Sequence, residues 1–191
     1  MKFKLNKRQK RLLLSTLLAI IILLLGTVES VPEIKQTLVA NQPGLYQVLK
    51  VNDGDTIVVD MNGVEETIRF IGVDTPETHH PSKPVQCFGR AASEFTTYQL
   101  DGQLVRLEAD PLNSNRDRYG RLLRYVYLQD GTLLNESVIE EGYGFAYTSF
   151  PFTKAEEFEA LERLAREENR GLWQGCNITH HDDGRSETDA E

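Results

Sequence analysis

Two turn signals, Asn52-Asp53-Gly54 and Asn62-Gly63, cut residues 46–71 into three strand-length runs of apolar and β-branched residues. Asn-Gly and Asp-Gly accept the left-handed backbone of tight hairpin turns, so 46–51, 56–60 and 64–71 are predicted to form a three-stranded antiparallel meander. Links this short leave neighbouring runs little choice but to pair. Two further runs, 104–109 and 122–128, bring the strand count to five.

Helical periodicity fills the intervals. Residues 89–100 set Ala91, Phe95 and Tyr98 on one face and stop at Gly102, and a second helix over 133–141 ends at Gly142. A third opens at a capping box, Thr153-Lys154-Ala155-Glu156, and aligns Phe158, Leu161 and Ala165 before Gly171, with Trp173 packing just beyond. One helix before the fourth strand and two after the fifth imply an α+β fold, a five-stranded OB-fold-like β-barrel with three helices.

The ends of the chain are built differently. Lys2, Lys4, Lys7, Arg8, Lys10 and Arg11 precede an uncharged apolar run, 12–28, which as a helix of about 1.5 Å per residue falls slightly short of a hydrocarbon core of about 30 Å. Residues 1–30 therefore read as a signal peptide, with Val28-Glu29-Ser30 the best cleavage candidate, or as a retained membrane anchor. Either way the basic cluster stays inside and the body becomes extracytoplasmic, secreted or held at the membrane. Residues 31–44 read as a linker. The acidic stretch 176–191, with Asp182, Asp183, Glu187, Asp189 and Glu191, is expected to be disordered. Export favours pairing of Cys87 with Cys176 over two unrelated buried thiols, and closing that loop stabilises the fold by on the order of 4 kcal/mol.

Three segments carry the candidate chemistry. Asp53-Gly54-Asp55-Thr56 lies at the first turn, where residues two apart on extended chain point the same way, so both carboxylates face one pocket; taken alone, it is equally an ordinary hairpin turn. Arg69, Asp74 and Glu77 follow within nine residues, and Pro76 biases Thr75 toward extended backbone, setting its carbonyl oxygen beside Asp74 as a second hard ligand. Asp117-Arg118-Tyr119-Gly120-Arg121, flanked by Arg116 and Arg124, gathers guanidinium groups suited to phosphate around one aromatic ring. A charged, solvated hairpin edge is the plain alternative for this last segment.

Taken in order, with His80-Pro81, Leu134-Asn135-Glu136 and Gly171-Leu172-Trp173, these motifs resemble the staphylococcal nuclease (thermonuclease) family from about residue 45 to residue 173. The resemblance implies that residues 45–175 are a catalytic OB-type domain. It implies calcium-dependent hydrolysis of phosphodiester bonds in DNA, RNA or both, endonucleolytic and exonucleolytic, with 3′-phosphate products. By matching positions, Asp55 and Asp74 would supply carboxylates to Ca2+ and Thr75 its carbonyl, with Asp53 supporting them from behind. Glu77 would act as general base, Arg69 and Arg121 would hold the phosphate, and Arg118, Tyr119 and Tyr147 would contact substrate. Such oxygen donors suit calcium rather than zinc. The expected partners are nucleic acid and, if the N-terminal segment is retained, the membrane; the domain is expected to be a monomer. The competing readings are a tethered, non-catalytic OB-fold module that binds nucleic acid or protein, and an anchored protein using calcium for stability.

The chain also departs from the family pattern. Residues 45–175 hold 13 Lys and Arg against 22 Asp and Glu, so weak nonspecific affinity and a local basic cleft around residues 116–124 are expected. The segment after Gly142 is one residue short, so the second of two substrate tyrosines falls at or near Ser149. His79, His80, His180 and His181, with Cys176 nearby, read as solvated residues rather than a zinc site.

Overall fold

The expected meander forms β1 (Leu45–Asp53), β2 (Thr56–Asp60) and β3 (Glu65–Phe70), paired antiparallel in sequence. The computed structural model describes residues 44–78 and 84–191. The signal or anchor of 1–30, the linker up to residue 43 and the stretch holding His79, His80 and Pro81 lie outside the described residues. At the second turn Asn62 and Gly63 both take positive φ, 58° and 86°, the geometry whose twist suits a two-residue hairpin. Strand alternation then sends Ile57, Val59, Ile68 and Phe70 inward, each at most 2% exposed.

The barrel closes in the order β1-β2-β3-β6-β5. β6 (Leu122–Tyr127) runs parallel to β3, with Ile68 opposite Leu122, and β5 (Leu104–Glu108) joins β6 back to β1 with antiparallel pairing on both sides. Closure leaves the barrel itself no free edge, and Val105, Leu122, Tyr125 and Val126 complete the core. A two-residue ladder lies outside the barrel, where β4 (Val73–Asp74) pairs with β7 (Phe145–Ala146).

The first helix, α1 (Gly89–Leu100), has the expected bounds. The second, α2 (Leu134–Glu140), buries Leu134, Val138 and Ile139, and its fully buried Asn135 latches it to the barrel. The Asn135 carboxamide accepts the Val126 N–H at 2.9 Å and donates to the Ile71 carbonyl at 2.9 Å, so both halves of the amide are satisfied. The third, α3 (Ala155–Glu167), buries Phe158 and Ala165, while Leu161 is only partly covered. A further single turn, α4 (Leu172–Gly175), presents Trp173 edge-on to Phe145 at 5.5 Å between centroids. Its start is pressed against the end of α2: a Cβ on Gly171 would stand 2.2 Å from the Gly142 carbonyl oxygen, which explains Gly171 before Leu172 and Trp173.

Three expectations are overturned. The face that α1 buries is not that of Ala91, Phe95 and Tyr98: Tyr98 is 79% exposed, and Ala92, Thr96 and Leu100 pack inward instead. Thr153 does not cap α3, because its hydroxyl and its N–H both donate to Asp110 Oδ2, at 2.5 and 2.8 Å, and Tyr125 Oη donates there at 2.7 Å. Asp110 is only 4% exposed, and a buried carboxylate needs such donors more than a solvated helix end does. Nor is the C-terminal segment disordered. Cys87 and Cys176 are joined, and beyond them β8 (Ile178–His180) and β9 (Ser186–Thr188) pair as a hairpin. The chain end is then held by Cys87 N–H to Asp189 O at 2.7 Å and Glu191 N–H to Val85 O at 2.9 Å. The cross-link holds an acidic, apolar-poor stretch against backbone donors that its composition alone could not have found. Among the described residues, no helix is long and apolar enough to cross a membrane.

Candidate active site

The turn between β1 and β2 delivers Asp53 and Asp55, and β3 with β4 delivers Arg69 and Asp74 to the same end of the barrel. Asp55 is 6% exposed and heavily liganded. Its Oδ1 accepts the Thr56 hydroxyl at 2.8 Å; its Oδ2 accepts the Thr75 N–H at 2.9 Å and the Thr75 hydroxyl at 3.1 Å, and lies 3.1 Å from Arg69 Nη1. Thr75 therefore orients Asp55 through its own donors, a contact not anticipated when its carbonyl was singled out. Gly54 makes this fit possible, since a Cβ there would come within 2.9 Å of the Thr75 side chain.

Arg69 ties the carboxylates together. Nη2 donates to Asp74 Oδ1 at 2.8 Å while Nη1 donates to the Val73 carbonyl at 2.5 Å, and Asp55 and Asp74 hold the guanidinium in its charged form against the cost of burial. One cation does not neutralise this group. Burial, then repulsion from Asp55, pushes Asp53 up to about 7, and burial, only partly offset by Arg69, pushes Asp74 up to about 6. Glu77 adds to the repulsion at both groups. It is placed from the backbone: its N–H donates to Gln86 Oε1 at 2.6 Å and its carbonyl accepts the Gln86 N–H at 3.0 Å. Crowded anionic oxygens with too little positive charge are what a hard divalent cation relieves, so Asp55 and Asp74 fit the role of ligands and Asp53 that of their support. Asp53 accepts the Gly54 N–H at 2.9 Å and the Thr78 hydroxyl at 3.1 Å.

Beside this floor runs a cleft of about 820 Å³ whose walls include Arg69, Arg118, Tyr119, Arg121 and Tyr147. Asp117 builds one wall, accepting the N–H groups of Tyr119 and Arg121 at 2.9 and 3.0 Å on Oδ1 and Arg121 Nε at 2.7 Å on Oδ2. This bond fixes the guanidinium of Arg121 by one edge. Arg118 and Arg121 stand 4.9 and 5.3 Å from the centre of the exposed Tyr119 ring. The expected basic cluster is thinner than its sequence. Arg116 is clamped by Glu66 with two 2.8 Å bonds, and Arg124 donates to Asn115 Oδ1 and the Leu123 carbonyl, both at 2.7 Å.

Tyr147 reaches the cleft because its N–H donates to the Gly72 carbonyl at 2.9 Å, continuing the β4–β7 ladder, and its ring meets Phe150 edge-on at 5.9 Å. Phe150, Asp183 and Arg185 also line the cleft and were not expected there. For Phe150 an aromatic three residues after Tyr147 was a usable signal; for the other two, an acidic tail gave none. The histidines of the tail gather no metal site among the described residues. His180 Nδ1 lies 2.8 Å from Ser186 Oγ, His181 pairs with Glu187, and Cys176 is in its disulfide.

Comparison with known proteins points to one family. The family described as Staphylococcal nuclease homologue matches residues 67–175. The thermonuclease of Staphylococcus hyicus is 43% identical over 129 residues, covering 67% of this chain and 75% of that one. The thermonuclease of Staphylococcus intermedius is 42% identical over 130 residues, 68% and 76% of the two chains, and endonuclease YncB of Bacillus subtilis 40% over 137 residues, 70% and 64%.

Proposed function

The chain belongs to the staphylococcal nuclease family, and from that premise we propose that this nuclease hydrolyses phosphodiester bonds of DNA and RNA with the help of calcium. The observation that carries the reading is the meeting, at one end of the barrel, of a carboxylate group short of positive charge and a cleft walled by Arg118, Tyr119 and Arg121. A basic, aromatic wall suits a phosphodiester strand, and the carboxylates suit the ion.

In this proposal Asp55 and Asp74, with the Thr75 carbonyl, would hold the calcium ion, and Asp53, bonded to the Gly54 N–H and the Thr78 hydroxyl, would support the site from behind. Bound there, calcium supplies Lewis-acid stabilisation of negative charge on a phosphate oxygen. The remaining chemistry belongs to the chain. Glu77 takes a proton from water as the water oxygen bonds to phosphorus. The bond from phosphorus to the 5′ oxygen breaks, its electron pair leaves with that oxygen, and solvent protonates it, giving a 3′-phosphate and a 5′-hydroxyl. Arg69 and Arg121 face the phosphoryl oxygens as negative charge accumulates, so their contribution is largest in the transition state. Tyr119 and Tyr147 hold the flanking strand, and Arg118 adds charge at the wall.

The same proposal sets the protein outside the cytoplasm, secreted or anchored, on the support of the basic cluster and apolar run before residue 30, and takes it to act as a monomer. The deciding experiment is hydrolysis of single-stranded DNA and RNA by residues 44–191 at low salt, with millimolar calcium, with magnesium, or with chelator. Cleavage with calcium alone is the expected result; a folded protein that binds the strand without cutting it would instead be a binding module.

A further inference from the structure

The mechanism above makes no use of the C-terminal hairpin, yet the hairpin ends in the cleft. Its turn, closed by His181 N–H to Arg185 O at 2.8 Å and by Gly184 N–H to His181 O at 3.0 Å, carries Asp183 and Arg185 into the wall shared by Arg69, Arg118, Tyr119, Arg121 and Tyr147. Arg185 is near enough for Tyr147 and Asp74 to act on its charge.

The placement is tethered at both ends. The Cys87–Cys176 bridge fixes the root, Thr188 Oγ1 donates to the Cys87 carbonyl at 2.9 Å, and Ser149 Oγ donates to the Asp183 carbonyl at 2.6 Å. The turn lies so close to Ser149 that a Cβ on Gly184, whose φ is 83°, would stand 2.5 Å from the Ser149 hydroxyl. Ser149 is where the second substrate tyrosine was expected, and here it seats the hairpin instead.

We propose that Arg185 is a substrate-binding residue: the hairpin delivers its guanidinium to a phosphate of the bound strand adjoining the base that rests on Tyr147 and Phe150. Its present partner is easily exchanged. Asp183 takes Arg185 Nε and Nη2, both at 2.8 Å, but the two side chains are 58% and 54% exposed, and ion pairs in that setting contribute about 0–1 kcal/mol. A phosphate dianion or diester oxygen in the cleft offers the same fork geometry with less competition from water. The body of the protein is acidic, so one added cation in the cleft has a disproportionate effect on a polyanionic ligand.

The proposal rests on the nuclease reading, and the test separates the two. The full chain and its Arg185→Ala, Arg185→Lys and Asp183→Ala variants would be assayed for kcat and KM on a single-stranded oligonucleotide with calcium across a salt series. Fluorescence anisotropy on a Glu77→Gln background would measure binding alone. Arg185→Ala is expected to raise KM roughly fivefold with kcat little changed, and to flatten the dependence of log KM on log salt by about 0.7, the loss of one phosphate contact to a single strand. Arg185→Lys should recover part of the affinity, and Asp183→Ala, by freeing the guanidinium, should lower KM. Wild-type KM and salt slope in Arg185→Ala, with cleavage intact, would overturn the proposal and leave the nuclease reading standing. Binding that depends on Arg185 in a protein that never cleaves would do the reverse.

Discussion

The floor of the site and its rim are held by different physics. On the floor, Asp55 accepts three hydrogen bonds and an arginine while almost fully buried, and Arg69 is locked to Asp74 and the Val73 carbonyl. On the rim, Tyr119 is 68% exposed and Phe150 59%, and Arg185 is held by one exposed carboxylate. In the proposed mechanism, groups that meet the reacting phosphorus are fixed before substrate arrives, and groups that accept any sequence of bases are left able to adjust. Substitutions on the floor should therefore act on kcat and on stability, and those on the rim on KM.

The largest effect is expected at Arg69. Arg69→Ala leaves Asp55 and Asp74 without their buried counter-charge, so it should cost about 3–5 kcal/mol of stability as well as most of the activity. Glu77→Gln separates the two consequences, with kcat falling about 10²–10⁴-fold and the melting temperature retained. Rapid-quench turnover with calorimetry on both variants checks this; a Glu77→Gln enzyme of near-native kcat would remove the assigned base.

Arg121 is the residue most able to break the comparison, since it lies on the rim but is assigned to the phosphate. Its Nε is fixed by Asp117, which sits on the same short loop, so the rim is rigid at this one place. Arg121→Ala should lower kcat about 10²-fold without unfolding the protein, whereas Tyr119→Ala should act mainly on KM. An Arg121→Ala effect confined to KM would move it into the adjustable class.

The disulfide comes next. Serine at both Cys87 and Cys176 should lower stability by up to about 4 kcal/mol, through the longer reach of the unfolded chain, and raise KM as the hairpin loses its root. Thermal melting and steady-state kinetics of the double variant would report the two losses separately. Loss of stability with unchanged KM would mean that Ser149 and the backbone contacts alone hold Arg185 in place.

The same division explains what the sequence disclosed. Asn62-Gly63, the alternating runs and the ends of α1 were legible because each depends on residues close in the chain. So was the local cluster of Arg118, Tyr119 and Arg121 as cleft residues, whereas Tyr147 came only from the family resemblance, because the Gly72 carbonyl that positions it is distant in the chain. Asp110 was not, because two of its three partners come from residues 125 and 153, too far along the chain to leave a local pattern; the supposed cap at Thr153 is one of them. The tail was misread for the opposite reason. Its composition is that of a disordered segment, and what orders it is a covalent bond to a residue 89 positions away together with backbone pairing.

The smallest predicted effect concerns pH and follows from the crowding on the floor. Asp53 at about 7 and Asp74 at about 6 both lie above the ordinary carboxylate value of about 4, so without metal the folded protein binds more protons than the unfolded chain between about pH 4 and 7. Their contribution to stability is full below the lower value and is lost as pH rises through the higher ones. Asp110 and Asp117 are shifted the other way by the donors around them, so their contribution is lost only at more acidic pH, leaving the window above about 5 to the floor carboxylates and to Glu162, which burial pushes up to about 6. Melting temperature in chelator should fall as pH rises from 5 to about 7, and Asp53→Asn should flatten the upper part of that fall. Excess calcium should flatten it in the wild type, because the ion binds the deprotonated site. A metal-free protein whose melting temperature rises steadily over that window would show that Arg69 already neutralises the floor, and the contrast between floor and rim would then be one of packing rather than of charge.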